Sequence, residues 1–121
     1  MAEIWSGYEE ENVRYLVVFV TCKDKDEAMS IAEVLVTEKL AACANVIEPA
    51  VSIYMWKGKI ERSIEAFMII KTQIDAFPEL VTRIKELHSY DVPEIIALPI
   101  MGGNPAYLKW IDEVTSDYLL E

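Results

Sequence analysis

The spacing of hydrophobic residues switches along the chain between the two-residue period of a β-strand and the 3.6-residue period of an α-helix. A β-branched and aromatic run over residues 15–22 predicts a strand that is buried in a sheet. Asp24 and Glu27 then have the spacing of a capping box, which indicates a helix start. The apolar stripe predicted for this helix consists of Ala28, Ile31, Ala32, Leu35 and Val36. The pattern therefore opens with a strand followed by a helix.

The middle of the chain predicts a β-hairpin. Val51, Ile53 and Met55 alternate with polar and aromatic residues, whereas Glu48-Pro49 interrupts any earlier strand. Lys57-Gly58-Lys59 is typical of a turn between strands. A second strand follows, and its predicted apolar face consists of Ile64, Ala66, Met68 and Ile70.

A second helix and a further strand follow the hairpin. Asp75 is expected to cap a helix that Pro93 ends. Its apolar stripe consists of Phe77, Leu80, Val81, Ile84 and Leu87. The strand predicted over 94–101 contains Pro99, which cannot donate to a ladder and so indicates an edge strand.

The last predicted element is a helix that Asn104 caps and Pro105 opens. Its predicted inward residues are Tyr107, Trp110, Ile111 and Val114. The order of elements predicts the α+β class, as a ferredoxin-like βαββαβ sandwich with an extra C-terminal helix. Such a sheet carries helices on one face only, so the other face needs a cover. We expect a partner subunit there, in contact with Tyr54, Trp56, Phe67 and Ile69.

Length and composition limit the classes of protein. The 121 residues are enough for one domain, predicted over 15–121 after a loosely ordered extension over 1–14. The formal net charge of −10 has the wrong sign for a general nucleic-acid binder. A hydrophobic fraction of 53% favours an oligomer that buries apolar surface between subunits.

The apolar runs do not predict a membrane or secreted protein. No stretch of 18 apolar residues is present, so no membrane span is expected. The first residues lack the basic and apolar regions of a signal peptide, and we expect a cytoplasmic location.

His88 is the single histidine and the first candidate metal ligand. It follows the second predicted helix, whose free carbonyl groups favour the protonated ring, whereas metal ligation requires the neutral ring. A helix-capping or interface histidine is therefore the alternative interpretation. Cys22 and Cys43 could supply soft thiolates if the fold brings them near His88, although buried, reduced thiols are the simpler interpretation.

Aromatic residues are the second candidate site. Trp56, Tyr90 and Trp110 could line a cleft that binds a small molecule, or they could be core and interface residues. No nucleophile motif is present, so an enzyme is not expected.

Several motifs occur together in one order. They are EKLAACAN at 38–45, YMWKGKI at 54–60, Glu65, Lys71-Thr72, HSYDVPEI at 88–95 and YLKW at 107–110. Over about residues 15–114, these motifs resemble the CutA divalent-cation-tolerance proteins.

The resemblance implies a ferredoxin-like subunit in a homotrimer, with a function in tolerance of divalent metals, copper especially. From the resemblance together with the net charge of −10 we expect weak binding of divalent or copper ions. His88 matches the histidine that the family places in its metal-binding segment. Ser89 stands where the family usually has proline, so the segment is expected to be less rigid. The alternative that the resemblance supports is a trimeric signalling or scaffold protein, like PII regulators, that binds a small ligand or partner in clefts between subunits.

Overall fold

A computed structural model describes residues 13–116. The predicted extension lies outside these residues over 1–12, as does the end of the predicted domain over 117–121. The elements are β1 (Tyr15–Cys22), α1 (Lys25–Thr37), β2 (Cys43–Trp56), β3 (Lys59–Gln73), α2 (Phe77–Leu87), β4 (Ile95–Pro99) and α3 (Pro105–Thr115). Their order confirms the predicted βαββαβ pattern with an added helix.

The four strands form one antiparallel sheet in the order β2-β3-β1-β4. This order confirms the ferredoxin-like sandwich. Among residues 13–116, β4 pairs only with β1, so Pro99 lies on an edge strand as its missing N–H group predicts. β2 begins at Cys43, earlier than expected, because a register shift between Ile47 and Ala50 lets the strand continue past Pro49.

The core lies between the sheet and the two helices α1 and α2. Alternate residues of β1 point into it, and Leu16, Val18, Val20 and Cys22 have no exposed surface. They form one cluster with the predicted stripes of both helices. Each large side chain that is fully buried there contributes about 1.5–3 kcal/mol. Val36 is an exception among the predicted stripe residues, since 43% of it is exposed at the edge facing β2.

The N-terminal cap predicted for α1 is observed, whereas the cap predicted for α2 is not. Asp24 accepts a hydrogen bond from the Glu27 backbone N–H at 2.8 Å, which confirms the predicted cap of α1. Asp75 does not cap α2, because it lies within a 3₁₀ turn over Ile74–Ala76 that precedes the helix. The helix also ends at Leu87 rather than at Pro93, since the backbone of His88 is already extended.

α3 covers part of the sheet face that α1 and α2 leave open. Tyr15 and Gln73 are register partners on that face. The Tyr15 hydroxyl donates to Asp112 at 2.6 Å, and Gln73 Nε2 donates to Thr115 Oγ1 at 2.8 Å. Ile111 and Thr115 have no exposed surface. The chain's own last helix therefore supplies some of the cover that we expected from a partner.

Because α3 packs on the sheet in this orientation, two of the residues that were predicted to point inward are exposed. Ile111 is buried as predicted and Val114 is half-buried, but 43% of Tyr107 and 37% of Trp110 are exposed. The helix packs through Ile111 and Thr115, which are one turn apart, so the inward prediction for Tyr107 and Trp110 is wrong. Within residues 13–116 no helix has the length and apolarity that crossing a bilayer requires.

The β2–β3 hairpin extends beyond the sheet. Pairing between β1 and β3 ends at Cys22 and Ala66, so within the described part of the chain residues 59–65 pair only with β2. We call this two-stranded extension the arm, comprising residues 50–65. One arm face carries large apolar side chains that are 63–66% exposed, namely Val51, Ile53, Met55, Ile60 and Ile64. Arg62, the register partner of Ile53, lies on the same face and is exposed. Tyr54 and Trp56, predicted as interface residues, point to the other arm face.

Candidate functional site

Three potential metal ligands meet at one end of the sheet. Cys22 ends β1, Glu27 lies in the first turn of α1, and His88 caps the end of α2. α1 begins directly after β1 ends, so Cys22 and Glu27 lie at the same end of the sheet. β4 runs antiparallel to β1 and therefore begins at that end. Because α2 ends just before β4, His88 lies there as well. One ligand atom from each residue lies within 4.8 Å of the other two. The structure thus brings His88 close to one cysteine and adds a carboxylate.

Both ring nitrogens of His88 are hydrogen-bonded. Nε2 lies 2.7 Å from the Thr21 carbonyl oxygen, which can only accept, and Nδ1 lies 3.0 Å from the Tyr90 backbone N–H group, which donates. Only the tautomer that carries its proton on Nε2 makes both bonds. His88 is 9% exposed, and as the C-cap residue of α2 it donates its backbone N–H to the Ile84 carbonyl oxygen, whereas its ring bonds Thr21 and Tyr90.

The other two ligand candidates differ in their protonation. Burial, followed by the negative charges of Glu27, Asp24 and Glu65, raises the pKa of the Cys22 thiol to about 12. Burial also raises the pKa of Glu27, but hydrogen bonds from Ser89 and Lys23 outweigh it and leave the pKa below its ordinary value. Those two residues donate their backbone N–H groups at 2.8 and 3.2 Å.

A thiol, a carboxylate and an imidazole form a mixed sulfur, oxygen and nitrogen ligand set. Zinc and copper accept this combination, whereas magnesium and calcium prefer oxygen alone. Ligands of a tetrahedral zinc lie about 3.5 Å apart, so the three atoms fit after a shift of about 1 Å. Cys43 is outside the cluster: it begins β2, and its Sγ lies 3.8 Å from the Tyr107 hydroxyl.

A groove runs beside this cluster, between the arm and the segment that follows α2. Its volume is about 1020 Å³. Trp56 and Tyr90 both line it, as the sequence suggested, together with Tyr54 and Glu65. Trp110 lies elsewhere, on α3, with its ring centre 5.4 Å from that of Tyr107.

Glu65 is one of the residues that line the groove and is 8% exposed. The hydroxyls of Tyr90 and Ser52 donate to its two carboxylate oxygens, at 2.7 and 2.5 Å. Burial, and then the hydrogen bond to Glu65, raises the pKa of Tyr90 above its ordinary range, so its hydroxyl stays a donor. The sequence identified Tyr90 but gave no role to Glu65 beyond its place in a motif.

Comparison with known proteins gives the family. The model of the family described as "CutA1 divalent ion tolerance protein" matches residues 16–114. The chain belongs to the CutA1 family. This confirms the resemblance carried by the sequence motifs.

Relatives in bacteria and animals extend the match. The chain is 46% identical over 99 residues to the divalent-cation tolerance protein CutA of Thermus thermophilus, covering 82% of this chain and 96% of the relative. It is 46% identical over 110 residues to mouse protein CutA, covering 91% of this chain. The match spans 61% of the mouse protein's length.

Solved CutA1 structures share the fold. The Thermus thermophilus structure superposes with a TM-score of 0.82 at 46% identity, covering 84% of this chain and 98% of that one. The structure from Oryza sativa gives a TM-score of 0.83 at 43% identity, covering 85% and 94%. These matches place the described chain in the fold of its family.

Proposed function

We propose that this CutA1 protein is a homotrimer that binds divalent cations weakly, copper among them, and that this binding serves divalent-cation tolerance. The observation that carries the proposal is the convergence of Cys22, Glu27 and His88, with ligand atoms within 4.8 Å of one another. The family name, divalent ion tolerance, agrees with that ligand set.

Weak binding follows from the contacts that a metal would displace. The Cys22 thiol has a pKa of about 12, so it must lose a proton before its sulfur can ligate at neutral pH. Each ring nitrogen of His88 is in a hydrogen bond, so ligation breaks one of them. These costs reduce the affinity for every metal. The affinity is reduced least for metals that bind thiolate strongly.

The exposed apolar surface supports an assembly of subunits. The apolar arm face carries Met55, Ile60 and Ile64, each about two-thirds exposed, and an isolated two-stranded ribbon is marginally stable in water. Ile96 and Leu98 of β4 add exposed surface on the open sheet face. A second copy that covers these side chains would gain about 25 cal/mol for each Å² of apolar area buried.

A non-enzymatic ligand-binding protein is the second candidate function, and the groove favours it. Trp56, Tyr90 and the buried Glu65 line a space of about 1020 Å³, enough for a small metabolite or a peptide side chain. In this proposal the trimer acts as a PII-like signalling or scaffold protein, and metals are incidental. Mass spectrometry of the freshly purified assembly under native conditions separates the two candidates, since the second requires a stoichiometric organic ligand.

A cytoplasmic location and the absence of catalysis stay predictions. The names of similar proteins differ in location: a rice relative is named chloroplastic, and a structure from Archaeoglobus fulgidus is described as periplasmic. Fractionation of the source cells with an antibody to this chain would test the location.

Calorimetric titration tests the metal proposal. Zinc(II), which does not oxidise thiols, and then copper(II) are titrated into wild type, Cys22→Ser and His88→Gln at about 0.15 M salt, where exposed charges are screened beyond about 8 Å. We expect both variants to bind at least tenfold more weakly, and Cys43→Ser, a thiol outside the cluster, to match wild type. Equal isotherms for all four proteins would attribute binding to the net charge of −10 and remove the site.

A further inference from the structure

We infer that the groove beside the arm binds a small organic cation, carrying an ammonium or guanidinium group, with the Glu65 carboxylate as its counter-charge. This inference deepens the second candidate function and rests on it. It does not depend on metal binding at the cluster of Cys22, Glu27 and His88.

The first argument is the state of Glu65. The residue is more than nine-tenths buried, and each carboxylate oxygen accepts one hydroxyl hydrogen bond, from Ser52 or Tyr90. A carboxylate offers about four acceptor positions, so further positions stay open. Among residues 13–116, no lysine or arginine nitrogen forms an ion pair with it within 4.0 Å. A buried carboxylate without a counter-charge is costly, and a bound cation removes that cost.

The second argument is the chemistry of the groove wall. Its carboxylates are those of Glu61, Glu65, Asp91 and Glu94, and its described lining contains no basic residue. A wall with this charge repels phosphate and carboxylate ligands, so nucleotides are unsuitable occupants. An organic cation is attracted by the same wall.

The aromatic rings select an organic cation over a bare metal ion. Tyr54, Trp56 and Tyr90 line the groove, and the faces of such rings attract ammonium and guanidinium groups. Lys57 Nζ lies 5.8 Å from the Trp56 ring centre, so a ligand cation on that ring competes with Lys57, whereas Tyr54 and Tyr90 have no such neighbour among the cation–ring contacts of residues 13–116. A volume of about 1020 Å³ accommodates an aliphatic chain as well as its charged end.

Agmatine, a guanidinium and an ammonium joined by four carbons, is a suitable probe. Calorimetry at about 0.15 M salt is expected to give one site per chain, and 4-guanidinobutanoate, which replaces the ammonium by a carboxylate, is expected to bind at least tenfold more weakly. Glu65→Gln keeps the shape of the side chain but removes its charge, and it should weaken agmatine binding at least tenfold. Glu113→Gln, an exposed carboxylate on α3 away from the groove, is the matched control and should leave binding unchanged.

Further variants separate the possible failures. Trp56→Leu should weaken agmatine binding severalfold while Glu65 is unchanged. This variant therefore tests the groove even if Glu65→Gln does not fold. The Cys22→Ser variant should lose zinc binding and should bind agmatine as wild type does. The inference is overturned if agmatine does not bind at millimolar concentration, if Glu65→Gln and Trp56→Leu both bind it as wild type does, or if a crystal structure shows a lysine of a second copy paired with Glu65. A neutral or anionic ligand recovered from the groove would overturn it while leaving the second candidate function standing.

Discussion

The backbone N–H of Tyr90 donates a hydrogen bond to Nδ1 of His88 at 3.0 Å, and this contact joins the ligand cluster to the groove. The two rings are also close, with their centres 4.8 Å apart. Beyond His88 lie the thiol of Cys22 and the carboxylate of Glu27, and beyond the Tyr90 hydroxyl lies Glu65. The two candidate sites therefore share one hydrogen-bonded segment at the end of α2.

Metal binding is expected to release a proton from Cys22. Its thiol has a pKa of about 12 and is protonated at neutral pH, whereas the ligand is the thiolate. Zinc affinity should therefore rise with pH, by up to about tenfold per pH unit. Calorimetry in buffers of different ionisation enthalpy should give about one proton per zinc. Cys22→Ser should abolish this release, and a release that the variant retains would assign the proton to another group.

The apolar arm face is expected to hold the assembly together. Met55→Lys places an ammonium group opposite Ile60 and adds a second positive charge to the face that already holds Arg62, so burial of this face would require desolvating both charges. We expect this variant to dissociate at micromolar concentration. Glu113→Lys introduces the same residue at an exposed position of α3, outside the arm, and is expected to stay assembled. Light scattering after size exclusion gives both masses, and identical masses would show that this face is not an interface.

Tyr15 is expected to make the docking of α3 sensitive to alkaline pH. Its hydroxyl donates to Asp112, and this hydrogen bond, followed by burial, raises the pKa of Tyr15. A raised folded-state pKa contributes stability that is fully present below the unfolded value of about 10 and is lost as pH rises through the folded value.

Tyr15→Phe should therefore lower the free energy of unfolding by about 1–2 kcal/mol at pH 8. Its difference from wild type should shrink above about pH 10. Guanidinium unfolding at several pH values measures this difference. The exposed Tyr54 supplies the control, Tyr54→Phe, and a Tyr15→Phe deficit that stays constant to pH 11 would contradict the role of the hydroxyl.

Thr115 is expected to stabilise α3 through its hydroxyl. It accepts from Gln73 Nε2 at 2.8 Å and donates to the Ile111 carbonyl oxygen at 2.7 Å, with no exposed surface. Thr115→Val keeps the shape but leaves the buried Gln73 amide without this acceptor, at a cost of about 1–3 kcal/mol. Thr82→Val removes an exposed hydroxyl from α2 and should change stability by less than about 0.5 kcal/mol. Equal losses in the two variants would contradict the proposed buried bond.

The elements could be predicted from sequence because each is determined by nearby residues. The alternating burial of β1 and the cap at Asp24 follow from spacing alone. Asp75 looked like a cap for the same local reason, yet the 3₁₀ turn before α2 moved the helix start past it. Local patterns fix the type of an element more firmly than its ends.

The site was less predictable because it depends on contacts between distant parts of the chain. Cys22 and His88 were candidates, but only the fold shows that Cys22, and not Cys43, lies beside the histidine. The sequence identified Glu27 as part of a capping box, in which its carboxylate would accept from the backbone N–H of Asp24. In the structure the carboxylate accepts from the backbone N–H groups of Ser89 and Lys23. Trp110 has the same aromatic character as Trp56, and nothing in its spacing indicates that it lies away from the groove.

Anomalous diffraction from crystals soaked in zinc is the most direct test of metal binding at the end of the sheet. Data on both sides of the zinc edge locate the metal without assumptions about its ligands. We predict a peak about 2.3 Å from Cys22 Sγ and about 2.0–2.1 Å from a ring nitrogen of His88, with Glu27 as a third ligand. Peaks found only on exposed carboxylates, with Cys22 and His88 unchanged, would contradict the proposed site.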